Sequence, residues 1–285
     1  MEVALNIAAP EQHRTAGERD GAAQLVFERV GPRSVLATAF ATSPLRILSP
    51  RNHGHAAWAY LSTLGGGLVD GDRLRLRVRV RRGAAAVLAT QGETRVYRSP
   101  HGCRSELLAE AEEDSLLAVL PDPTVCFAGA RYSQRIDLRL AAGAALVFVD
   151  LLSAGRSARG ERWAFQRYAG ELTLRLGDRV LLAEGMLLAP EHGPIGKRFD
   201  RFDVLATLLL AGELLRPARA ALSRTLGALP VAARAARLES ANDLGDEVLL
   251  VRMAAVSVED ALRSLRQHLR FLPAILGDNP WARRP

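Results

Sequence analysis

Between Arg73 and Arg82 the chain alternates without a break: Leu74, Leu76, Val78 and Val80 are separated by Arg75, Arg77, Arg79 and Arg81. Successive side chains of a β-strand point to opposite faces, so this segment has one aliphatic face and one row of guanidiniums. Gly83 breaks the run, and Ala84–Thr90 reads as the next strand. Short apolar segments punctuated by Gly, Pro and Asp predict further strands over Gln24–Val30, Val35–Phe40, Ala56–Leu64, Ser115–Leu120, Gln134–Leu140, Ala144–Leu151, Trp163–Leu176 and Arg179–Leu188. After Pro190 the period changes. Phe202–Leu215 and Ala218–Leu229 carry apolar residues at helical spacing, and Val248–Val256 reads as a strand. Ser257 is placed to cap a helix running to about Leu272, with Glu259 and Asp260 in its positive first turn.

One unit recurs. RVRVRRGAAAVLAT, turning at Gly83, is matched 60 residues later by DLRLAAGAALVFVD, turning at Gly143, and more weakly by ELTLRLGDRVLLAE at Gly177–Asp178. Repeated strand–turn–strand units fit layered or coiled sheets in which each unit buries its apolar face on its neighbours. Antiparallel hairpins give the same pattern, and both readings stand. The fold class is mainly β, with a small α-helical element toward the C-terminus. Residues 1–22 read as a flexible lead-in.

Composition adds limits. The chain has 285 residues, 48% of them hydrophobic, and a formal net charge of +7 carried almost wholly by arginine, Lys197 being the one lysine. Such a charge suits a solvated surface or docking to acidic partners. Aromatics are only 5% of the chain, too sparse for base-stacking platforms, so nucleic acid is not an expected partner. Two cysteines, Cys103 and Cys126, supply neither a disulfide framework nor a four-thiolate metal site. No apolar run reaches the ~20 residues that span a bilayer, and the N-terminus does not read as a signal peptide. The expectation is a soluble, cytoplasmic protein with no membrane partner.

No GxSxG, HExxH or Walker-type motif occurs. The triple glycine Gly65, Gly66 and Gly67 is followed by a strand, which suits a tight turn or a close backbone approach rather than a phosphate loop. Asp70 and Asp72 flank Gly71. In extended chain their carboxylates share a face able to meet a cation; as an Asp-Gly turn they bond local backbone. His53 and His55 are two apart, as are His101 and Cys103, and imidazole or thiolate suits nickel, zinc or copper. Asp150 and Glu161 flank a glycine-rich loop holding Gly155, Arg156, Arg159 and Gly160. Its charges either tie the loop locally or line a polar passage.

Three segments, in order, resemble the urease accessory protein D family (UreD/UreH). They are GGGLVDGDRLRLRVRVRRGAAAVLATQGETRVYR (65–98, with Gln91, Tyr97 and Arg98 in its polar exit), LPDPTVCFAGARYSQRIDLRLAAGAALVFVD (120–150) and SAGRSARGERWAF (153–165). The ending LGDNPWARRP is also compatible. Arg95 stands where many members have lysine and Asp150 where glutamate is common. The resemblance implies a layered, β-helix-like stack of sheets forming one domain over 23–285, mostly β to about 190 and helical and mixed over about 200–276. It implies a non-enzymatic maturation chaperone that helps insert nickel into apo-urease. The partners implied are the urease structural subunits and the accessory proteins F and G, the latter a GTPase. No cofactor is permanently bound on this reading, and nickel(II) is in transit. Asp70, Asp72, Asp150 and Glu161, with His53 and His55, are the expected route. The alternatives are a β-scaffold binding module with no metal role, and a hydrolase using paired carboxylates.

Overall fold

The computed structural model describes residues 19–282, apart from residues 52, 231 and 246. In chain order the elements are β1 (Arg19–Val30), β2 (Arg33–Ala41), β3 (Leu45–Leu48), β4 (Ala57–Thr63), β5 (Asp72–Val80), β6 (Ala85–Thr90), β7 (Thr94–Val96) and β8 (Cys103–Ala111). There follow β9 (Leu116–Leu120), β10 (Thr124–Cys126), β11 (Arg131–Leu140), β12 (Ala145–Ser153), β13 (Arg167–Leu176) and β14 (Arg179–Leu188). The C-terminal part adds α1 (Ile195–Phe199), β15 (Val204–Ala211), α2 (Arg216–Gly227), β16 (Arg237–Leu244), β17 (Val248–Ala255), α3 (Val258–His268) and α4 (Leu272–Leu276).

The strands form two sheets, ordered β14-β13-β11-β8-β5-β1-β2 and β16-β17-β15-β12-β9-β6-β4-β3, with β7 and β10 paired beside the second. β5, β8, β11 and β13 run parallel in the first sheet, and β6, β9 and β12 run parallel in the second. The chain therefore alternates between sheets and winds as a coil. The unit turning at Gly83 is a corner joining two sheets, and the hairpin reading of it falls. The corners stack: Gly83, Asp114 and Gly143 all take positive φ (66°, 55° and 71°), and the Gly83 N–H donates to the Glu113 carbonyl at 3.0 Å. A hidden coil thus lies between the two legible ones, with Asp114 where the others have glycine. The third, weaker copy is a true antiparallel hairpin, β13–β14, within one sheet.

One apolar core fills the space between the sheets, built from inward positions such as Phe27, Leu138, Phe148 and Leu174. A second lies between the other face of the second sheet and α2, α3 and α4, and includes Trp58, Val147, Leu208 and Leu265. Strands of that sheet are buried on both faces, which overturns the helix expected over Phe202–Leu215. Leu208 and Leu210 serve one core and Leu209 and Ala211 the other, so the run is continuously apolar and lacks the alternation of a half-buried strand. The helix expected over Ala218–Leu229 is α2. Ser257 caps α3, its Oγ accepting the Asp260 N–H at 3.1 Å; the helix ends at His268, and Leu272 opens α4.

At the start, residues 19–22 of the expected lead-in are strand, because they pair with β5 from Asp72 to Arg75. Residues 1–18 lie outside the described residues. Trp163, with φ 52°, belongs to the loop before β13, not to the strand. The outer face of the first sheet carries the arginine row of β5. Arg79 meets Glu110 across the β5–β8 ladder at 2.7 Å, and Arg81 meets Glu112 at 2.9 Å. Exposed pairs of this kind contribute ~0–1 kcal/mol each.

Candidate functional site

Between the sheets the packing leaves a cavity of about 480 Å3. Leu74 and Leu76 wall it from the first sheet, Leu88, Val119 and Phe148 from the second. At one end its lining passes to the exposed residues Gly66, Gln91, Gly92, Glu93 and Arg95, so it opens where the triple-glycine turn meets the polar exit of β6. The motif residues Gly66 and Gln91 are therefore mouth residues.

Inside, the lining mixes apolar side chains with polar ones, Thr90 and Thr124 among them, and carries one extended hydrogen-bonded chain. The Ser105 and Tyr132 hydroxyls lie 2.5 Å apart, and the Tyr132 OH donates to Gln134 Oε1 at 3.2 Å. Gln134 Nε2 donates to Asp150 Oδ2 at 3.1 Å. Asp150 sits between Phe148 and Leu152 on the inward face of β12, enclosed by protein yet bordering the open space. Burial pushes its carboxyl above the usual carboxylate range, and the bonds from Gln134 and the Leu151 N–H offset only part of that. Burial likewise holds the Tyr132 phenol protonated. Gln134, Tyr132 and Ser105 were not singled out in the sequence. A polar residue at an inward position of an otherwise apolar strand is the signal that finds them, as Gln134 breaks the series Tyr132, Ile136, Leu138, Leu140.

The other expected route residues do not join this chain. Gly71, at φ 82°, turns Asp70 and Asp72 apart. Asp72 is fully buried and accepts the Val69 N–H at 2.8 Å, closing the turn. Asp70 accepts the backbone N–H groups of His101 and Gly102 at 2.8 and 3.0 Å and pairs with His101 Nδ1 at 2.7 Å. That pairing with His101 holds its carboxyl below the usual range. Glu161 accepts from Arg156 Nε and Nη2 and from the Ala128 N–H at 3.2 Å; the Arg156 bonds lower its pKa. Arg156 in turn lies 4.2 Å over the Phe127 ring, which meets Tyr97 edge-on. His53 and His55 are exposed, and their segment docks on the C-terminal residues through the His53 N–H to Asp278 bond at 2.9 Å. Among the described residues no three His, Cys, Asp or Glu side chains form a group able to hold a metal ion.

The motif glycines serve close packing. A Cβ on Gly67 would lie 2.4 Å from the Arg95 carbonyl oxygen, where the Leu68 N–H also docks at 2.8 Å. Gly65 and Gly160 stand in open space at positive φ. Arg98 packs along Gly129.

Cys103 and Cys126 are buried and free. Burial pushes the Cys103 thiol up to about 12 and the Cys126 thiol higher still. Neither is a thiolate ligand near neutrality. Iodoacetamide at pH 8 is expected to label neither in the folded protein and both after denaturation; labelling of the folded chain at the rate of a free thiol would contradict the burial.

A model of the family described as UreD urease accessory protein matches residues 19–285. The chain is 50% identical over 271 residues to "Urease accessory protein UreD" of Sorangium cellulosum (strain So ce56), covering 95% of this chain and 86% of that one. It is 41% identical to the protein of the same name in Anaeromyxobacter sp. (strain Fw109-5), covering 94% and 91%. It is 31% identical to "Urease accessory protein D" of Oryza sativa subsp. japonica, covering 96% and 98%.

Proposed function

This chain belongs to the UreD family of urease accessory proteins and has a role in urease maturation, and from that premise we propose that it delivers nickel(II) to apo-urease through the cavity between its sheets. On this reading it is a non-catalytic cytoplasmic scaffold joining the urease structural subunits to the accessory proteins F and G. The observation that carries the reading is the chain Ser105–Tyr132–Gln134–Asp150 inside a cavity that opens at the family motif loops. Oxygen ligands, thinly spaced, hold Ni2+ loosely enough to let it go, whereas a closed thiolate or imidazole set would trap it. Asp150, the carboxylate of that hydrogen-bonded chain, attracts the cation without enclosing it. Asp70, Asp72 and Glu161 contribute by holding the loops around the coil.

Asp150→Asn tests this. Co-expressed with urease subunits and the accessory proteins, the variant is expected to lower nickel per urease about 3- to 10-fold, the loss of one charged ligand being worth ~1 kcal/mol or more. Recovery of the complexes should be unchanged. Because the folded pKa of Asp150 is raised, its favourable contribution to stability is full only below the unfolded value of ~3.9 and is lost as pH rises through the folded value. The variant should therefore be at least as stable as the parent at pH 7–8. Normal nickel loading with Asp150→Asn would reject Asp150 as a ligand on the route.

A further inference from the structure

On the outer face of the first sheet most arginines have a carboxylate. Arg75 meets Asp20 at 3.6 Å, Arg79 meets Glu110, Arg81 meets Glu112, and Arg139 meets Asp137 at 2.7 Å. One row is alternately charged, with Arg135 in register between Glu171 and Glu106, and Glu106 in register with Arg75. The end of the face where β8, β11 and β13 begin breaks this rule. Arg131 stands directly opposite Arg167, and Arg104 lies opposite Ser133, one position further along the same face. Their neighbours Cys103, Tyr132 and Tyr168 are buried, so these arginines point outward. Arg98 reaches the same corner, its Cγ 3.1 Å from where a Cβ on Gly129 would be. Arg167 bonds only the Ser133 hydroxyl, at 3.2 Å, and Arg98, Arg104 and Arg131 meet no carboxylate among the described residues. Arg77, between Leu108 and Gln24, and Arg33, opposite Val30, also meet no carboxylate among the described residues, but each stands apart from other arginines of this kind.

The geometry points to this corner as the docking surface for an acidic segment of a partner protein. Four guanidiniums held this close repel one another, and the ladder positions directly opposite Arg104, Arg131 and Arg167 hold no carboxylate; Asp70, beside the start of β8, is taken up by His101 and Gly102. Strand spacing sets them about 5 Å apart across strands and about 7 Å apart along them, which is also the spacing of alternate carboxylates on an extended acidic chain. Guanidiniums favour carboxylates through paired, planar hydrogen bonds. A phosphate polymer is the poorer fit, because the aromatics on these strands, Tyr132 and Tyr168, face inward and leave no stacking surface. The partner assay rests on the maturation role, while the peptide assay does not.

The test compares Arg104, Arg131 and Arg167→Glu with a control of equal charge change at exposed sites elsewhere, Arg46, Arg224 and Arg270→Glu. A labelled 20-residue poly-glutamate peptide and co-purification of urease subunits with the accessory proteins are the two readouts. The corner variant is expected to bind the peptide at least about tenfold more weakly at ~100 mM salt and to lose one co-purifying partner, with the control near the parent. A second variant, the same three positions to Gln, keeps the test sound if charge reversal unfolds the chain. Equal weakening in both variants would reduce the effect to net charge and overturn the proposal. So would retention of every partner, or unchanged peptide binding by the corner variant. If the parent recovers no partner at all, the maturation complex reading fails, and the peptide arm alone decides this one.

Discussion

Leu88→Trp should cut the nickel content of co-expressed urease by at least about tenfold, a rise in the passage barrier of only about 1.4 kcal/mol. Leu88 is 2% exposed, lies near the middle of β6 and borders the cavity opposite Leu76 and Ile136. An indole there fills open space instead of displacing packed neighbours, so its cost in stability should stay at the low end of the ~1–3 kcal/mol seen for overpacked cores. Partner recovery should match the parent, because no outer surface changes. Leu88→Met, which conserves volume, is the control and should load nickel normally. A Leu88→Trp protein that is folded, bound to its partners and fully active in nickel delivery would move the route out of the cavity. Blocking and Asp150→Asn report different properties, since one closes the space and the other removes its charge.

Gly155→Ala should destabilise the fold by about 3 kcal/mol, combining left-handed backbone strain with overlap. Gly155 sits at φ 109°, and a Cβ would come within 2.9 Å of both the Cys126 and the Glu161 carbonyl oxygens. Both are backbone, so neither can rotate aside. The loop from Ala154 to Trp163 is fastened by Arg156 to Glu161, by Arg162 to Asp203, and by the Trp163 indole N–H to the Phe202 carbonyl at 3.1 Å. At about 2–4 °C per kcal/mol for a chain of this size, the expected fall in melting temperature is about 6–12 °C. Gly160→Ala separates the two causes: its φ is 75° but nothing lies within 4 Å, so about 1 kcal/mol is expected. Equal effects at the two glycines would show that crowding at Gly155 contributes nothing.

How far the sequence reaches depends on what each strand faces. β5 was legible because one face meets a core and the other water, which writes a clean alternation. β15 was not, because both faces meet apolar layers and the period disappears. β8, reading CRSELLAEA, hid among helix-forming residues whose glutamates turn out to be ladder partners of β5 arginines. β3, β7 and β10 are three or four residues long, too short to carry a period. The coil itself was half visible: the glycines at 83 and 143 marked alternate corners, and Asp114 masked the one between. In the site, Asp150 was found as part of a motif. Its partner Gln134 was not, because the two meet across the space between the sheets, from strands that do not pair. Asp70 and Asp72 misled in the opposite way, since closeness in sequence suggested a shared face that the Gly71 turn separates.

The stacked corners also set an order of assembly. Arg73 pairs with Arg104 and Cys103 with Tyr132, so each coil closes on chain made only about thirty residues earlier. Asp150 is different: its strand-mate across the second sheet is Thr207 on β15, and β15 in turn needs β17. During synthesis the early coils can form as they emerge, while the Asp150 strand keeps an open edge until the C-terminal strands arrive. Open strand edges of this kind invite mispairing while they wait. C-terminal truncation before β15 should therefore be felt first as aggregation of the nascent chain, even though the coils and the cavity mouth are already encoded upstream of the cut.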